Sequence, residues 1–531
     1  MNWRNAWALA AGLMLAPVSV EAAEGDSPVV MSLDTATKGP TISRDIFGQF
    51  AEMLGEGIYG GVWVGPDSKI PNVRGIRSDV VGALKALKVP NIRWPGGCYG
   101  DQYHWRDGVG ADRRTRINAN WGGTPEPNTF GTHEFMDLVE QVGAEAYISV
   151  NMGSGTVQEA ADWVEYMTAE NSSLARERAA NGRAKPWRLK FVGLGNEMWG
   201  CGGGLTGEEY VGRMKPFAIN LNNYHPAQRL ADPFTPNPDR MKRIAAGEGL
   251  GKPEYTEAIM KARTTTFQFG WKIEGLSLHN YVAPTTTPLA DSSTDFGEAE
   301  YAGLLAKSYS TERMVAEHSA IMDKYDPKKE VFLAVDEWGA WLKPLPEKPM
   351  MFLRQQNSLR DALSAAIHIN GFARHADRVR MANIAQMVNV IQAMILTDGE
   401  RMLLTPTYHV FRMYVPFQDA ELVAVKLDAG TYRFGDSAMP RVDAVAAKAK
   451  DGSLWLALVN PDPAKAISVS PAGVTARAAK GEVLTAGKVN AYNTFTAPND
   501  VSPKPFEARA NGGKLTLTLA PKSLTVVRLE P

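Results

Sequence analysis

Eight apolar runs, each followed by a helix-like stretch, fill residues 43–405 and restrict what this chain can become. In order they are "DIFGQFAEML", "VPNIRWPGG", "AEAYISVNMG", "LKFVGLGNE", "MKRIAAGEG", "GLSLHNY", "EVFLAVDEWG" and "RVRMANIAQ". Their cores are apolar at consecutive positions, not alternate ones. That pattern marks strands buried on both faces, as in a parallel sheet covered by helices. Segments such as "SDVVGALKALK", "QEAADWVEYMTAE" and "RDALSAAIHINGFARHA" supply the helices. Eight such units predict an α/β fold, a (β/α)8 TIM barrel with long loops, over 43–405. A doubly wound open sheet is the alternative.

The texture changes after Tyr408. "LVAVKLDAGTYRF", "VDAVAAKAKDGSLWLALVN" and "KLTLTLAPKSLTVVRLEP" are short alternating strands broken by Gly, Pro and Asn-Pro. They predict an antiparallel β-sandwich of jelly-roll type over 406–531. The segment 23–42, with "VVMSLDTATKGPTI", reads as a strand joining that sandwich.

The first 22 residues have one cation, Arg4, an apolar stretch, and small residues Val20 and Ala22 before a cut. This is the layout of a secretory signal peptide and predicts an exported protein, periplasmic or secreted. No later segment has the run of about 20 apolar residues a membrane span needs. The net charge of −1 gives no basic face for nucleic acid or an acidic membrane. "DRRTR", from Asp112 to Arg116, reads as a solvated loop. Cys98 and Cys201 are the only cysteines. On sequence grounds they are expected as separate thiols, with a bridge left open.

Polar residues at the C-terminal ends of barrel strands face the active site. Those ends carry Glu52, Arg93, Asn151, Asn196 with Glu197, His279 with Tyr281, Asp336 with Glu337, and Gln386. Glu197 follows the fourth run and Glu337 the seventh. Two carboxyls facing one bond are what glycoside hydrolysis requires, one protonated to give its proton to the leaving oxygen and one ionised. Trp94, Trp121, Trp199, Trp338 and Trp341 lie near these ends and could offer flat apolar faces to a sugar. Each feature alone has a plain reading: a cap, a solvated turn, a core tryptophan. Their coincidence around one mouth favours catalysis.

In order, "GQFAEMLG", "RWPGGCYGDQYHWRDGVG", "NTFGTHEFMDL", "GNEMWGCGG", "LHNYV", "DEWGAW", "ANIAQMVNVIQAM" and "LLTPTYHVFRMY" resemble the motifs of glycoside hydrolase family 51. The resemblance extends into the sandwich through "AYNTFTAPNDVSPKPF". Its typical members are α-L-arabinofuranosidases that retain anomeric configuration. The resemblance implies an exo-acting enzyme that releases L-arabinose from plant polysaccharides or oligosaccharides by double displacement. By motif, Glu197 resembles the general acid/base and Glu337 the nucleophile. Glu52, Arg93, Cys98, Trp121, Asn196, His279, Tyr281 and Gln386 fall where the family binds arabinose. Cys98 stands where some members carry Asn. The implied partners are arabinose-containing glycans, and the resemblance also allows a homo-oligomer.

Other chemistries fit poorly. "GLGNEM" opens like a dinucleotide fingerprint, but Met198 replaces its last glycine and no helix follows. The eight histidines form no His-Glu-x-x-His, and no Gly-x-Ser-x-Gly elbow is present. His133 and Glu134 read as loop packing. No cofactor or catalytic metal is expected. A xylosidase or endo-glucanase on the same barrel, or a silent glycan-binding homologue, remain the alternatives; a silent homologue would typically lose Glu197 or Glu337.

Overall fold

The computed structural model describes residues 28–229, 237–249, 251–265, 272–285, 287 and 289–531. The signal peptide expected at 1–22 lies outside the described residues. Eight parallel strands close into a barrel: Gly48–Phe50, Asn91–Trp94, Glu145–Val150, Phe191–Leu194, Lys242–Ala245, Gly275–Val282, Phe332–Ala340 and Val379–Ile384. They run round the barrel in chain order, and the eighth pairs with the first. Each lies on one of the eight apolar runs, two of them ending one residue beyond it, so the closed barrel holds and the open sheet does not.

Inside the barrel, Tyr147, Phe191, Ile244, Phe332, Ala334 and Met381 from five strands form one buried cluster. This plug separates the mouth from the opposite end, where Lys190 and Lys242 lie against the Phe191 and Phe332 rings. Outside, the helices present apolar faces to the strands. Ser358 and Asp361 close the start of the helix Leu359–Arg374, where the Asp361 carboxylate accepts from Ser358 N–H and Oγ–H at 2.8 and 2.9 Å. That helix is buried from Leu359 to Ala373 because the second domain covers its outer side.

The second domain is a curled sheet of nine strands. Its spatial order is Lys504–Arg509, Ala478–Leu484, Ser523–Glu530, Leu454–Asn460, Asp443–Lys448, Glu421–Leu427, Val29–Asp34, Ile467–Ala472 and Leu517–Leu519. The N-terminal strand Val29–Asp34 lies antiparallel to Glu421–Leu427 and parallel to Ile467–Ala472. Met31, Leu33, Leu456, Leu458, Val469, Leu517 and Val527 pack into its core. Polar ties hold it to the barrel. Asn370 donates to Asp443 at 2.6 Å, and Arg374 bridges Glu312 and Asp443 at 2.6 and 3.1 Å. Among the described residues no helix is long and apolar enough to cross a membrane.

Candidate active site

The seventh strand does something a regular strand cannot. Consecutive side chains should point to opposite faces, yet Asp336 and Glu337 both face inward. The register explains it: Ser277 pairs with Ala334 and His279 with Glu337, so three steps on one strand match two on its neighbour. The eighth strand shows the same offset, from Val335↔Ala382 to Trp338↔Ile384. One residue is therefore inserted as a β-bulge, which re-aims the chain at the barrel mouth.

Arg93, on the second strand and 1% exposed, meets both carboxylates. Its Nη1 donates to Glu337 Oε1 at 2.7 Å, its Nε lies 3.4 Å from Asp336 Oδ2, and its Nη2 donates to Asn196 Oδ1 at 2.5 Å. Burial works against its charge, but Asp336 and Glu337 outweigh that and hold the guanidinium firmly protonated. Tyr281 donates its hydroxyl to the other oxygen of Glu337 at 2.8 Å. Across the mouth, Glu197 Oε1 lies 3.0 Å from His279 Nδ1, which is also 3.6 Å from Glu337 Oε2. Ligand atoms of Glu197, His279 and Glu337 all lie within 4.8 Å of one another.

Glu52 follows the first strand and forms a second corner of the pocket. Its Oε1 accepts from Tyr99 N–H at 3.0 Å and Trp121 Nε1–H at 2.8 Å, and its Oε2 from Gln386 Nε2 at 3.2 Å. Burial, then the charge of Glu337, pushes its pKa up to about 7. The "PGG" turn is tight because this carboxyl rests on it: a Cβ at Gly97 would come within 2.4 Å of Glu52 Oε2.

Cys98 and Cys201 form a disulfide, which corrects the expectation of separate thiols. Their sulfurs lie 3.9 and 3.6 Å from Glu197 Oε2, so the bridge walls the acid's outer side. The glycines after Trp199 let this loop fold back under the strand end. A Cβ at Gly202 would sit 2.2 Å from Asn196 O and 2.8 Å from Asp101 Oδ2. Asp101 in turn accepts from the N–H groups of Asn196, Met152 and Gly153 at 2.9, 2.8 and 2.9 Å, fixing the backbone that presents Asn196 and Glu197.

The structure thus brings Glu52, Arg93, Cys98, Trp121, Asn196, Glu197, His279, Tyr281, Glu337 and Gln386 to one mouth. It takes other strand-end residues away. Asn151 is spent on its own loop, accepting from Ser154 and Gly155 N–H at 2.9 Å each. Trp94 and Trp338 are fully buried, Trp94 stacked on Phe135 and Trp338 on His368 and Phe411, so neither can meet a sugar. His133 is bonded to Tyr166 at 2.7 Å, outside the mouth. Asp101, Tyr147 and Ser277 belong to the site's support and were not named from sequence, and Cys201 was named there only as a cysteine whose bridge to Cys98 was left open. The glycines of "GCGGG" were the available signal for Cys201, since only a tight return loop needs so many.

Among the described residues two groups are close enough to share a cation: Cys98, Glu197 and Cys201, and Glu197, His279 and Glu337. Neither is a ready ligand set. Bridged sulfurs offer no thiolate. Burial opposes the charge of His279, but Glu337, Asp336 and Glu197 push its pKa up to about 10, so its nitrogens carry protons.

A TIM-type barrel whose mouth holds two carboxylates this close, each aimed by fixed donors, is the site of a glycoside hydrolase. Family models point the same way: one described as the α-L-arabinofuranosidase 1 domain matches residues 83–255, and one described as the α-L-arabinofuranosidase C-terminal domain matches 336–523. The chain belongs to the α-L-arabinofuranosidases of glycoside hydrolase family 51. It is 43% identical to a Bacteroides ovatus protein named intracellular exo-α-L-arabinofuranosidase, over 92% of this chain and 93% of that one. It is 47% identical to the solved family 51 arabinofuranosidase of Xanthomonas axonopodis pv. citri, with a TM-score of 0.89, covering 95% of this chain and 100% of that one. An arabinose complex of the Thermotoga maritima α-L-arabinofuranosidase superposes with a TM-score of 0.80 at 30% identity, covering 95% and 100%.

The Bacteroides ovatus relative is named an intracellular enzyme, which overturns the expectation of export. That expectation rested on a three-part layout: one cation, an apolar stretch, and the small residues Val20 and Ala22 before a cut.

Two measurements check the site. A carboxyl whose pKa is raised by folding stabilises the fold most below its unfolded value, near 4.5, and loses that contribution as pH rises through about 7. Glu52→Gln should therefore shrink the decline in unfolding free energy between those pH values, read by urea titration. An unchanged slope contradicts the assignment. The bridge spans 103 residues of sequence. Reducing it, or Cys201→Ser, should lower stability by about 2–5 kcal/mol; equal stability with and without reductant contradicts a bridge.

Proposed function

We propose that Glu337 and Glu197 carry out a retaining double displacement that releases terminal L-arabinose from arabinose-containing plant polysaccharides or oligosaccharides. The observation that carries this reading is the close carboxylate pair, with oxygens of Glu197 and Glu337 within 4.8 Å. Retaining glycosidases hold their carboxyl groups about 5–5.5 Å apart, whereas inverting ones leave roughly 6.5–9.5 Å for a water.

The roles follow from the surroundings. Glu337 is 5% exposed, and its two oxygens accept from Arg93 and Tyr281. Such a carboxylate is aimed and dehydrated, as a nucleophile should be. Glu197 is more open, its side chain 19% exposed, where a leaving group and later a water can reach it. In the first step Glu337 attacks the anomeric carbon while the proton of Glu197 passes to the departing glycosidic oxygen. This leaves arabinose as an ester on Glu337. In the second step Glu197 takes a proton from water, the water oxygen attacks the same carbon, and Glu337 departs as carboxylate.

Asn196 is placed to bond the sugar's 2-hydroxyl beside the reacting carbon, with its Oδ1 already fixed by Arg93. Glu52, oriented by the Trp121 N–H, and Gln386 supply polar contacts for the remaining hydroxyls, and the Cys98–Cys201 bridge gives an apolar wall. A pocket closed by Glu52 and the "PGG" turn favours a terminal sugar over the middle of a chain, which agrees with exo action. The name of the Bacteroides ovatus relative supports the same reading.

Variants assayed on aryl α-L-arabinofuranosides test the roles. Glu337→Ala should abolish turnover on every substrate. Glu197→Ala should cost about 10²–10⁴-fold with a poor leaving group, much less with an acidic phenol, and azide should partly restore it. If both variants kept near-normal rates, the assignment would fall.

A further inference from the structure

Asp336 is a carboxylate of this mouth that no sugar can touch. Its side chain is 1% exposed. Tyr147 donates to its Oδ2 at 2.7 Å, and Ser277 donates to its Oδ1. That same Oδ1 lies 3.3 Å from His279 Nε2. The other ring nitrogen, Nδ1, lies 3.0 Å from Glu197 Oε1 and 3.6 Å from Glu337 Oε2. Both nitrogens of one ring therefore point at carboxylate oxygens. Once Glu197 is ionised, as the second step requires, a neutral imidazole with its single N–H could satisfy only one end and would turn a lone pair on the other. A ring protonated on both nitrogens satisfies both.

We propose that Asp336 is a positioning residue for the glycosidic reaction: it locks the His279 ring between Glu197 and Glu337 as a fixed cation that both use in turn. This rests on the roles given above to Glu337 and Glu197. The bulge in the seventh strand is what makes it possible, since a regular strand would turn Asp336 away from the ring as it turned Glu337 toward the sugar. Proton bookkeeping stays simple, because His279 gives up nothing. In the first step the proton of Glu197 goes to the leaving oxygen, and Glu337 loses its charge to the ester. The imidazolium then faces Glu197 alone and favours its ionised form, the base the second step needs. In the second step a proton of water goes to Glu197, and Glu337 regains its charge beside the same cation.

Other charges around the ring do not replace Asp336. Arg93 stands on the Glu337 and Asp336 side and adds positive charge, which works against protonating His279. Tyr281 spends its proton on Glu337, and Tyr147 spends its own on Asp336. Glu52 lies beyond Glu337 with its oxygens already bonded. The segment packed on the His279 backbone brings Glu248, which pairs with Lys252 at 2.9 Å. Consistent with this, Asp336 is held well below the usual carboxylate range: burial opposes ionisation, but Arg93 and His279 overcome it.

Asp336→Asn removes the charge and keeps the shape. On an aryl arabinofuranoside with a very acidic phenol, where hydrolysis of the ester limits turnover, kcat should drop by about tenfold or more and KM should drop with it. Ester-enzyme should accumulate in the mass spectrum, and the acid-side limb of kcat should move to higher pH, because a neutral ring no longer favours ionised Glu197. A merely structural role would lower kcat without the matching fall in KM and without moving the limb, and that result overturns the proposal. The wild type separates the two levels: if it forms no ester on Glu337 the assigned mechanism fails, whereas an ester with an unmoved variant profile sinks only the role of Asp336. Should the variant not fold, the wild type still decides. Nitrogen-15 imidazole spectra, assigned with His279→Gln, should show both nitrogens protonated up to about pH 10, and a ring titrating near the ordinary 6.5 overturns it.

Discussion

The buried Arg93 guanidinium is the interaction on which the rest of this site depends. A cation with 1% exposure survives only where acceptors surround it. Here those acceptors are Glu337, Asp336 and Asn196, drawn from the fourth and seventh strands on opposite sides of the mouth. Its planar fork can meet several acceptors at fixed angles, which a lysine could not do. The same contacts that stabilise the charge therefore also set the sugar-side groups in place. Binding, aim and electrostatics share one anchor.

Two local distortions let strands of ordinary sequence reach that anchor. The bulge at Val335–Glu337 turns two successive acids inward, setting Glu337 against Arg93 and Tyr281 and Asp336 against His279. The turn after Leu194 works differently. Glu197 adopts a left-handed backbone at φ 40°, and glycines at 195 and 202 make room for the chain to fold back. Asp101 ties that turn, through Asn196 N–H, to the loop after the third strand, whose Met152 and Gly153 N–H groups it also accepts from, and the Cys98–Cys201 bridge ties the turn again. Glu197 sits on irregular backbone that is nonetheless held from several directions, as the acid role proposed for it requires.

How far this was legible in the sequence depends on the kind of constraint. Strands buried on both faces announce themselves as continuous apolar runs, so the barrel and the ordinal places of Glu197 and Glu337 could be read directly. Polar residues ending such runs have few reasons to be there, which is why the mouth could be assembled from Arg93, Asn196, His279, Tyr281 and Gln386. Facing is harder. Trp94 and Trp338 end or follow the same runs, yet both point out into the helix layer, and only the register decides that. The inward turn of Asp336 is likewise an event between neighbouring strands and leaves no mark on its own. The bridge is a distance across 103 residues, invisible to any local pattern. Export was read from the signal-peptide layout of the first 22 residues, and a relative named as intracellular corrects it.

The most direct test of the account is to catch the ester it requires. A 2-fluoro arabinofuranosyl substrate with a very acidic leaving group should load the enzyme faster than it unloads, and peptide mapping should locate the sugar. The account predicts one added fluoro-arabinosyl group, on the peptide that carries Glu337. A label on Glu197 or Glu52, or turnover with no covalent adduct at all, would contradict it.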